Sequence, residues 1–302
     1  MADVKDMKKV NKREFLKKYH KANKALEMWR IFKSNRLAVV GLLIFIVILL
    51  LMIFANVIAD YKTVAIATNT PERLQSPSAA HLLGTDDLGR DMLARVIHGG
   101  RVSLRIAVGA GLLGLLLSGT IGSLAGFYGG AVDNILMRCI DVLACVPCIV
   151  LAIAMVAAMG ASETNLIIAI GVSTTVGLSR TVRSAVLGVR NMEYIEAARA
   201  LGQSTWKIIL KHVLVNCVAP IIVHLSIQIA CNILWVAELS FLGLGISAPT
   251  PEWGCMISAA RTNMRTYPYL VIVPGLAIFF SAVSFNLIGD GLRDALDPKL
   301  KC

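Results

Sequence analysis

Long apolar runs alternate with polar segments along the chain, and they are the strongest pattern in the sequence. The first run has 23 residues and no charged side chain. As an α-helix it would be about 34 Å long, enough to cross a hydrocarbon core of about 30 Å. The pattern predicts an all-α, polytopic membrane bundle with six transmembrane helices, of which the fourth must extend through residues 163–165 or 179–181. The predicted spans are residues 37–59, 106–128, 142–159, 166–178, 218–237 and 270–288.

The distribution of basic residues predicts the orientation of these spans. The segments on the N-terminal side of the membrane (1–36, 128–141, 180–217 and 287–302) hold 22 Lys and Arg, whereas the opposite segments hold 8. Lys and Arg are retained in the cytoplasm, so we expect both termini on the cytoplasmic side of a bacterial inner membrane.

The composition is typical of a membrane protein, and the positions of the charged residues show which neighbour the net positive charge is suited to. The chain is 56% hydrophobic and 16% charged, whereas a soluble domain is typically about half apolar and about a quarter charged. The whole formal charge of +11 lies on the predicted cytoplasmic face. We therefore expect membrane lipid, and no nucleic acid, as the neighbour of this charge.

The first 36 residues place aromatic and apolar side chains at near-helical spacing between runs of lysine. This arrangement is typical of an amphipathic helix at the membrane interface. A partly disordered basic arm held by anionic lipid is the alternative, and the sequence does not separate the two. The residues concerned are Phe15, Tyr19, Leu26, Trp29 and Phe32.

Two segments contain possible metal ligands. Cys145 and Cys148 have CxxC spacing, but no second pair or histidine group completes a site. Residues 81–91 combine a histidine with aspartates, but arginines among them would neutralise the carboxylates. We predict no metal site, and expect Thr85 or Asp86 to cap the helix that leads into span two.

The segment 180–217 is too long for a tight connection between spans and too regular for a linker. A short helix is predicted by apolar residues on one face: Tyr194, Ala197, Ala198 and Leu201. Gly202 ends this helix, since glycine readily adopts the left-handed conformation at a helix C-terminus. Ser204 or Thr205 can cap a second short helix. The small side chains of Ala197 and Ala198 would allow another surface to approach closely.

The same segment carries a family resemblance. Residues 196–202 resemble the EAA motif of bacterial ABC importer permeases, in which this loop is the coupling element that docks into the ATP-binding subunit. The chain departs from the family pattern in having Leu214 and Val215 where a Leu-Pro pair is usual, with its proline at Pro220. The implied coupling residues are Glu196, Ala197, Ala198, Arg199 and Gly202.

Further motifs narrow the resemblance to the C-type permease subunit of dipeptide, oligopeptide and nickel importers. The outer segment before span two contains HLLGTDDLGRD (81–91) and GRVSL (100–104). The stretch between spans five and six contains FLGLG (241–245) and PTPEWG (249–254), and the tail reads GDGLRDALDP (289–298). Nickel and glutathione importers share nearly all of these motifs. We expect short peptides as the substrate. Nickel or another metal chelate, and glutathione, are the alternatives.

The resemblance also implies the partners. A type I ABC importer permease forms half of a translocation path beside a homologous B-type permease, with two ATP-binding subunits and an extracytoplasmic substrate-binding protein. The chain has no G-x-x-x-x-G-K-[ST] loop to hold nucleotide phosphates. We therefore expect that it is not an enzyme and binds no cofactor, and that ATP and Mg²⁺ are bound by the partner ATPase subunits.

Polar side chains recur every four residues within span five. His224, Gln228 and Asn232 lie on one helical face. Polar groups are costly in hydrocarbon, so they must face either a water-filled path or a neighbouring helix. Lining of the translocation path and interhelical hydrogen bonding are both open as interpretations.

A stand-alone ion-coupled transporter or channel is the competing class. It would place acidic pairs in mid-span, whereas Asp141, Glu163 and Glu238 lie near span ends. The preferred interpretation divides the chain into a cytoplasmic basic segment (1–36), the first span with its outer segment (37–105), a core permease domain (106–290) that contains the loop 180–217, and a cytoplasmic tail (291–302).

Overall fold

The computed structural model describes residues 24–296, which form helices and loops with one isolated β-bridge between Thr85 and Asp91. The helices up to the middle of the chain are α1 (Lys24–Ser34), α2 (Arg36–Ile53), α3 (Ala55–Ile58), α4 (Met92–Tyr128), α5 (Gly130–Ala144) and α6 (Cys148–Met159). They are followed by α7 (Glu163–Val189), α8 (Glu193–Ala200), α9 (Thr205–Ile208), α10 (Leu214–Phe241), α11 (Trp253–Ala259) and α12 (Tyr269–Leu296). The all-α fold is confirmed.

Five helices are long and apolar enough to cross a membrane, and a sixth span is completed if α5 and α6 count as one. These two helices meet at an angle of 82°, so the third predicted span is a bent pair. Pro147 stands immediately before α6 and lacks the N–H that a continuous helix would need. The fourth span extends beyond its apolar run at both ends, as α7.

The centre of the bundle is the pair α4 and α7, which pack closely through small residues. A β-carbon at Gly122 would lie only 2.6 Å from the carbonyl oxygen of Ser179, and the methyl groups of Val186 pack against Gly126. Small residues at such positions let two helix backbones approach, which favours association in a membrane. In contrast, α2 fully buries only Ala38, Gly41 and Met52 and exposes many of its other apolar side chains, such as Leu43 and Val47, as expected for contact with lipid.

The outer segment between α3 and α4 is held by buried ion pairs. The Arg90 guanidinium lies 2.6 Å from the Asp86 carboxylate, and that of Arg95 lies 3.3 Å from it. The predicted cap of α4 was wrong: Asp91 is the N-cap and accepts the N–H of Ala94, because α4 begins at Met92. Asp86 instead accepts the backbone N–H groups of Leu88 and Arg90.

Candidate functional site

The segment between α7 and α10 folds as a helix, a glycine corner and a second short helix. Gly202 has φ +71°, and its N–H donates to Arg199 O at 2.9 Å while Gln203 N–H donates to Ala198 O at 3.2 Å. These two bonds form a Schellman motif, which satisfies carbonyl groups at the end of α8. The predicted helix end at Gly202 is therefore confirmed, and its side-chain position is open, with no other atom within 4 Å of a β-carbon there.

One face of α8 is packed against the bundle. Ile195 and Ala198 are buried in an apolar cluster with Val186, Ile208 and Val213. The predicted apolar face was partly wrong, because Tyr194, Ala197 and Leu201 point outward. Ala198 thus allows close approach by this chain's own core, whereas Ala197 is exposed.

The opposite face of the segment is apolar and uncovered within the chain. Leu201 is 79% exposed and Trp206 is 57% exposed. Met192, Tyr194 and Leu210 are also exposed, although partial burial raises the pKa of the Tyr194 phenol. We call Met192, Tyr194, Leu201, Trp206 and Leu210 the outer loop face.

The entry to the second short helix differs from the prediction. Ser204 occupies the N-cap position of α9, but its side chain makes no capping hydrogen bond. A π-helical turn, Ile209–Val213, then joins α9 to α10. His212 Nε2 lies 3.1 Å from Gln203 Oε1, a contact between this π-helical turn and the glycine corner.

Arginine side chains connect this segment and the preceding helix α7 to other helices. The Arg199 guanidinium lies 4.9 Å from the Phe127 ring centroid, so one of the predicted coupling residues contacts the end of α4. Arg190 donates to Gly126 O at 2.9 Å, and Arg183 pairs with Asp133 of α5 at 2.5 Å. Sequence reasoning missed these contacts, because side chains far apart in the chain gave no pairing signal.

The three polar residues of span five have different environments in α10. Asn232 is fully buried and donates to Ala107 O of α4 at 3.0 Å. For this residue the structure therefore shows interhelical hydrogen bonding, one of the two interpretations of the polar face. Gln228 is partly exposed and donates to Asn232 at 3.2 Å. His224 lies 3.4 Å from the Thr181 hydroxyl, beside a cleft of about 330 Å³ that also reaches Arg293.

The neighbouring alanines of α8 provide a matched pair of substitutions. Ala198→Leu would overpack the buried cluster, and we expect it to lower the stability of the folded chain by about 1–3 kcal/mol. Ala197→Leu projects into open space and should change stability by less than about 0.5 kcal/mol. Thermal unfolding of the purified protein in detergent would measure both, and equal midpoints would contradict the burial pattern.

Comparison with known proteins identifies the fold family. Residues 118–301 match the family model described as "binding-protein-dependent transport system inner membrane component". The chain belongs to this family of transport permeases. Residues 26–77 of the permease match a second model, the N-terminal transmembrane domain of oligopeptide transport permease C.

Individual relatives agree with this assignment. The permease is 43% identical over 275 residues to a dipeptide transport system permease protein of Alkalihalophilus pseudofirmus, covering 91% of this chain and 90% of the relative. It is 42% identical over 278 residues to a glutathione transport system permease protein of Pectobacterium atrosepticum, covering 91% of each.

The solved structures of other transporters confirm the type I ABC importer fold. The inward-facing MetNI methionine ABC transporter superposes with a TM-score of 0.56, covering 68% of this chain and 98% of that chain at 16% identity. At this identity the likeness shows the fold alone. The family match, together with the candidate spans, identifies the permease as a multi-pass membrane component of a transport system.

Proposed function

We propose that this permease forms half of the translocation path for short peptides in an ATP-driven importer. A homologous B-type permease would form the other half, two ATP-binding subunits would bind ATP and Mg²⁺, and an extracytoplasmic binding protein would deliver the peptide. The peptide substrate is supported by the relatives, among which dipeptide permeases are 40% and 43% identical to this chain. Both termini would lie in the cytoplasm, as the excess of Lys and Arg on that side indicates.

The observation that carries the coupling role is the two-sided packing of residues 191–213. Ile195 and Ala198 bind the inner face of this segment to the bundle, while the outer loop face is apolar and exposed. An exposed apolar patch on a rigidly held element is typical of a protein interface. We propose that the ATP-binding subunit docks here, and that its ATP-driven movement is passed to α4 through the contact of Arg199 with Phe127 and to α7 through the packing of Ile195 and Ala198 in the cluster with Val186.

The path-lining role is proposed for His224 and Gln228, because both side chains are partly exposed. Asn232 would support the path indirectly, since its hydrogen bond to Ala107 O fixes α10 against α4. Transport requires that ATP binding favours one of two arrangements of the bundle, by contacts that differ between them.

Substrate choice is tested by uptake of a labelled dipeptide into cells that produce the whole importer. We expect unlabelled dipeptides to compete for uptake, and nickel salts to leave it unchanged. Competition by glutathione alone would favour the glutathione alternative, and labelled nickel uptake that depends on this permease would contradict the peptide assignment.

A further inference from the structure

Helices α2 and α12 cross closely and leave an apolar groove on each side of the crossing. At the crossing, a β-carbon on Gly41 would lie 3.1 Å from Ser284 O, and the rings of Phe45 and Phe285 meet edge to face at 5.0 Å between centroids. Both helices are candidate membrane spans, so we expect the grooves to contact lipid rather than bulk water.

The groove next to α1 has a volume of about 350 Å³ and is lined by residues of α1, α2 and α12. Trp29 and Phe32 of α1 are stacked, with ring centroids 5.7 Å apart, and Trp29 remains 46% exposed. Tryptophan is enriched at the membrane–water boundary, so α1 places the groove at the depth where head groups meet acyl chains. The lining side chains are apolar: Met28, Trp29, Phe32, Leu42, Ile288 and Leu292.

Exposed cations are found on α1 and α2, two of the helices that line this groove. Arg30 and Lys33 are on α1, and Arg36 is the first residue of α2. Lys33 Nζ lies 5.1 Å from the Trp29 ring centroid, which places its charge at the groove. Within the described side chains none of these three cations pairs with a carboxylate, whereas nearby Asp294 accepts a hydrogen bond from Asn35 at 2.8 Å.

We propose that this groove binds one anionic phospholipid. An acyl chain would lie against Leu42, Ile288 and Leu292, and the phosphate would face Lys33 and Arg36. Apolar surface at chain depth and cations at head-group depth together match the two halves of such a lipid. The orientation proposed above places this lipid in the cytoplasmic leaflet. Binding of the lipid to the groove does not depend on that orientation.

The groove beyond the crossing provides an internal comparison. It has a volume of about 300 Å³ and is lined by apolar side chains such as Leu51, Leu276 and Phe280. Its described lining includes no charged side chain. We expect this second groove to accept acyl chains without preference for the head group.

The test is native mass spectrometry of the whole importer, purified in mild detergent with mixed micelles of phosphatidylglycerol and phosphatidylcholine. We expect wild-type protein to retain phosphatidylglycerol selectively. The double variant Lys33→Gln/Arg36→Gln should lower its retention about thirtyfold, because each of the two basic residues near a head group contributes about 1 kcal/mol. The matched control, Lys62→Gln/Arg73→Gln, removes two exposed cations from the outer segment and should leave retention unchanged.

A second variant tests the apolar half of the site. Leu292→Trp fills the groove and should also lower phosphatidylglycerol retention, whereas Phe280→Trp in the second groove should not. Equal retention by the wild type and the Lys33/Arg36 variant would overturn the proposal, as would equal loss in the Lys62/Arg73 control. If phosphatidylglycerol binds only after residues 2–23 are deleted, the chain's own N-terminal segment occupies the groove and the proposal is wrong.

Discussion

Replacing Gly202 by leucine is expected to lower substrate uptake at least about tenfold while ATP hydrolysis by the assembled importer continues. The backbone of Gly202 has φ +71°, a conformation that costs residues with a β-carbon about 1–2 kcal/mol. The substitution should therefore open the Schellman motif and change the angle between α8 and α9. ATPase activity and peptide uptake, measured on the same reconstituted complex, would reveal the loss of coupling.

Asparagine at position 202 is the matched control. Its side chain has nearly the size of leucine but tolerates the left-handed conformation, and the position has open space around it. Gly202→Asn should therefore retain most uptake. Normal uptake by Gly202→Leu would contradict the coupling role of the corner, and equal loss in both variants would show that side-chain bulk, rather than backbone conformation, is responsible.

Introducing two negative charges on the outer loop face should dissociate the ATP-binding subunits from the permease. Leu201 and Trp206 are the most exposed apolar side chains of α8, α9 and the glycine corner between them. Tryptophan is enriched among the residues at interface centres that contribute at least about 2 kcal/mol each, and a carboxylate buried in place of an apolar side chain adds a desolvation cost. The double variant Leu201→Asp/Trp206→Asp should thus weaken docking by about a hundredfold or more, because the combined loss exceeds about 3 kcal/mol.

Size-exclusion chromatography of the purified complex would measure this loss. The control is Met264→Asp, which places the same charge on a 48% exposed apolar residue between α11 and α12. We expect the control to retain all subunits and the double variant to retain only the permease pair. Unchanged stoichiometry in a folded double variant would exclude the outer loop face as the docking surface.

The sequence predicted the membrane spans well, but it did not predict where some helices begin and bend or which contacts join them. The apolar runs located the spans because hydrocarbon requires long uncharged segments. They did not show that α4 begins at Met92, because that helix continues through polar residues outside the apolar run. The break before Cys148 lies in a continuous apolar stretch, where Pro147 was the only available signal.

In the segment 191–213, too, local structure could be predicted from the sequence and tertiary contacts could not. Gly202 was predictable because a left-handed corner strongly favours glycine. Which of Ala197 and Ala198 faces the core was not predictable, since both are small and either fits the helical spacing. The contacts of Arg199 with Phe127 and of Asn232 with Ala107 depend on tertiary packing between helices, which local periodicity does not encode.

The central claim is that the segment 191–213 connects this permease to separate ATP-binding subunits. The most direct measurement is affinity purification of the tagged, full-length chain in mild detergent, with the copurifying proteins identified by mass spectrometry. We predict that a second six-span permease and ATP-binding subunits copurify with it. Recovery of a folded chain alone or only with further copies of itself, from a preparation that keeps other membrane complexes intact, would contradict the claim and favour a self-contained channel or carrier.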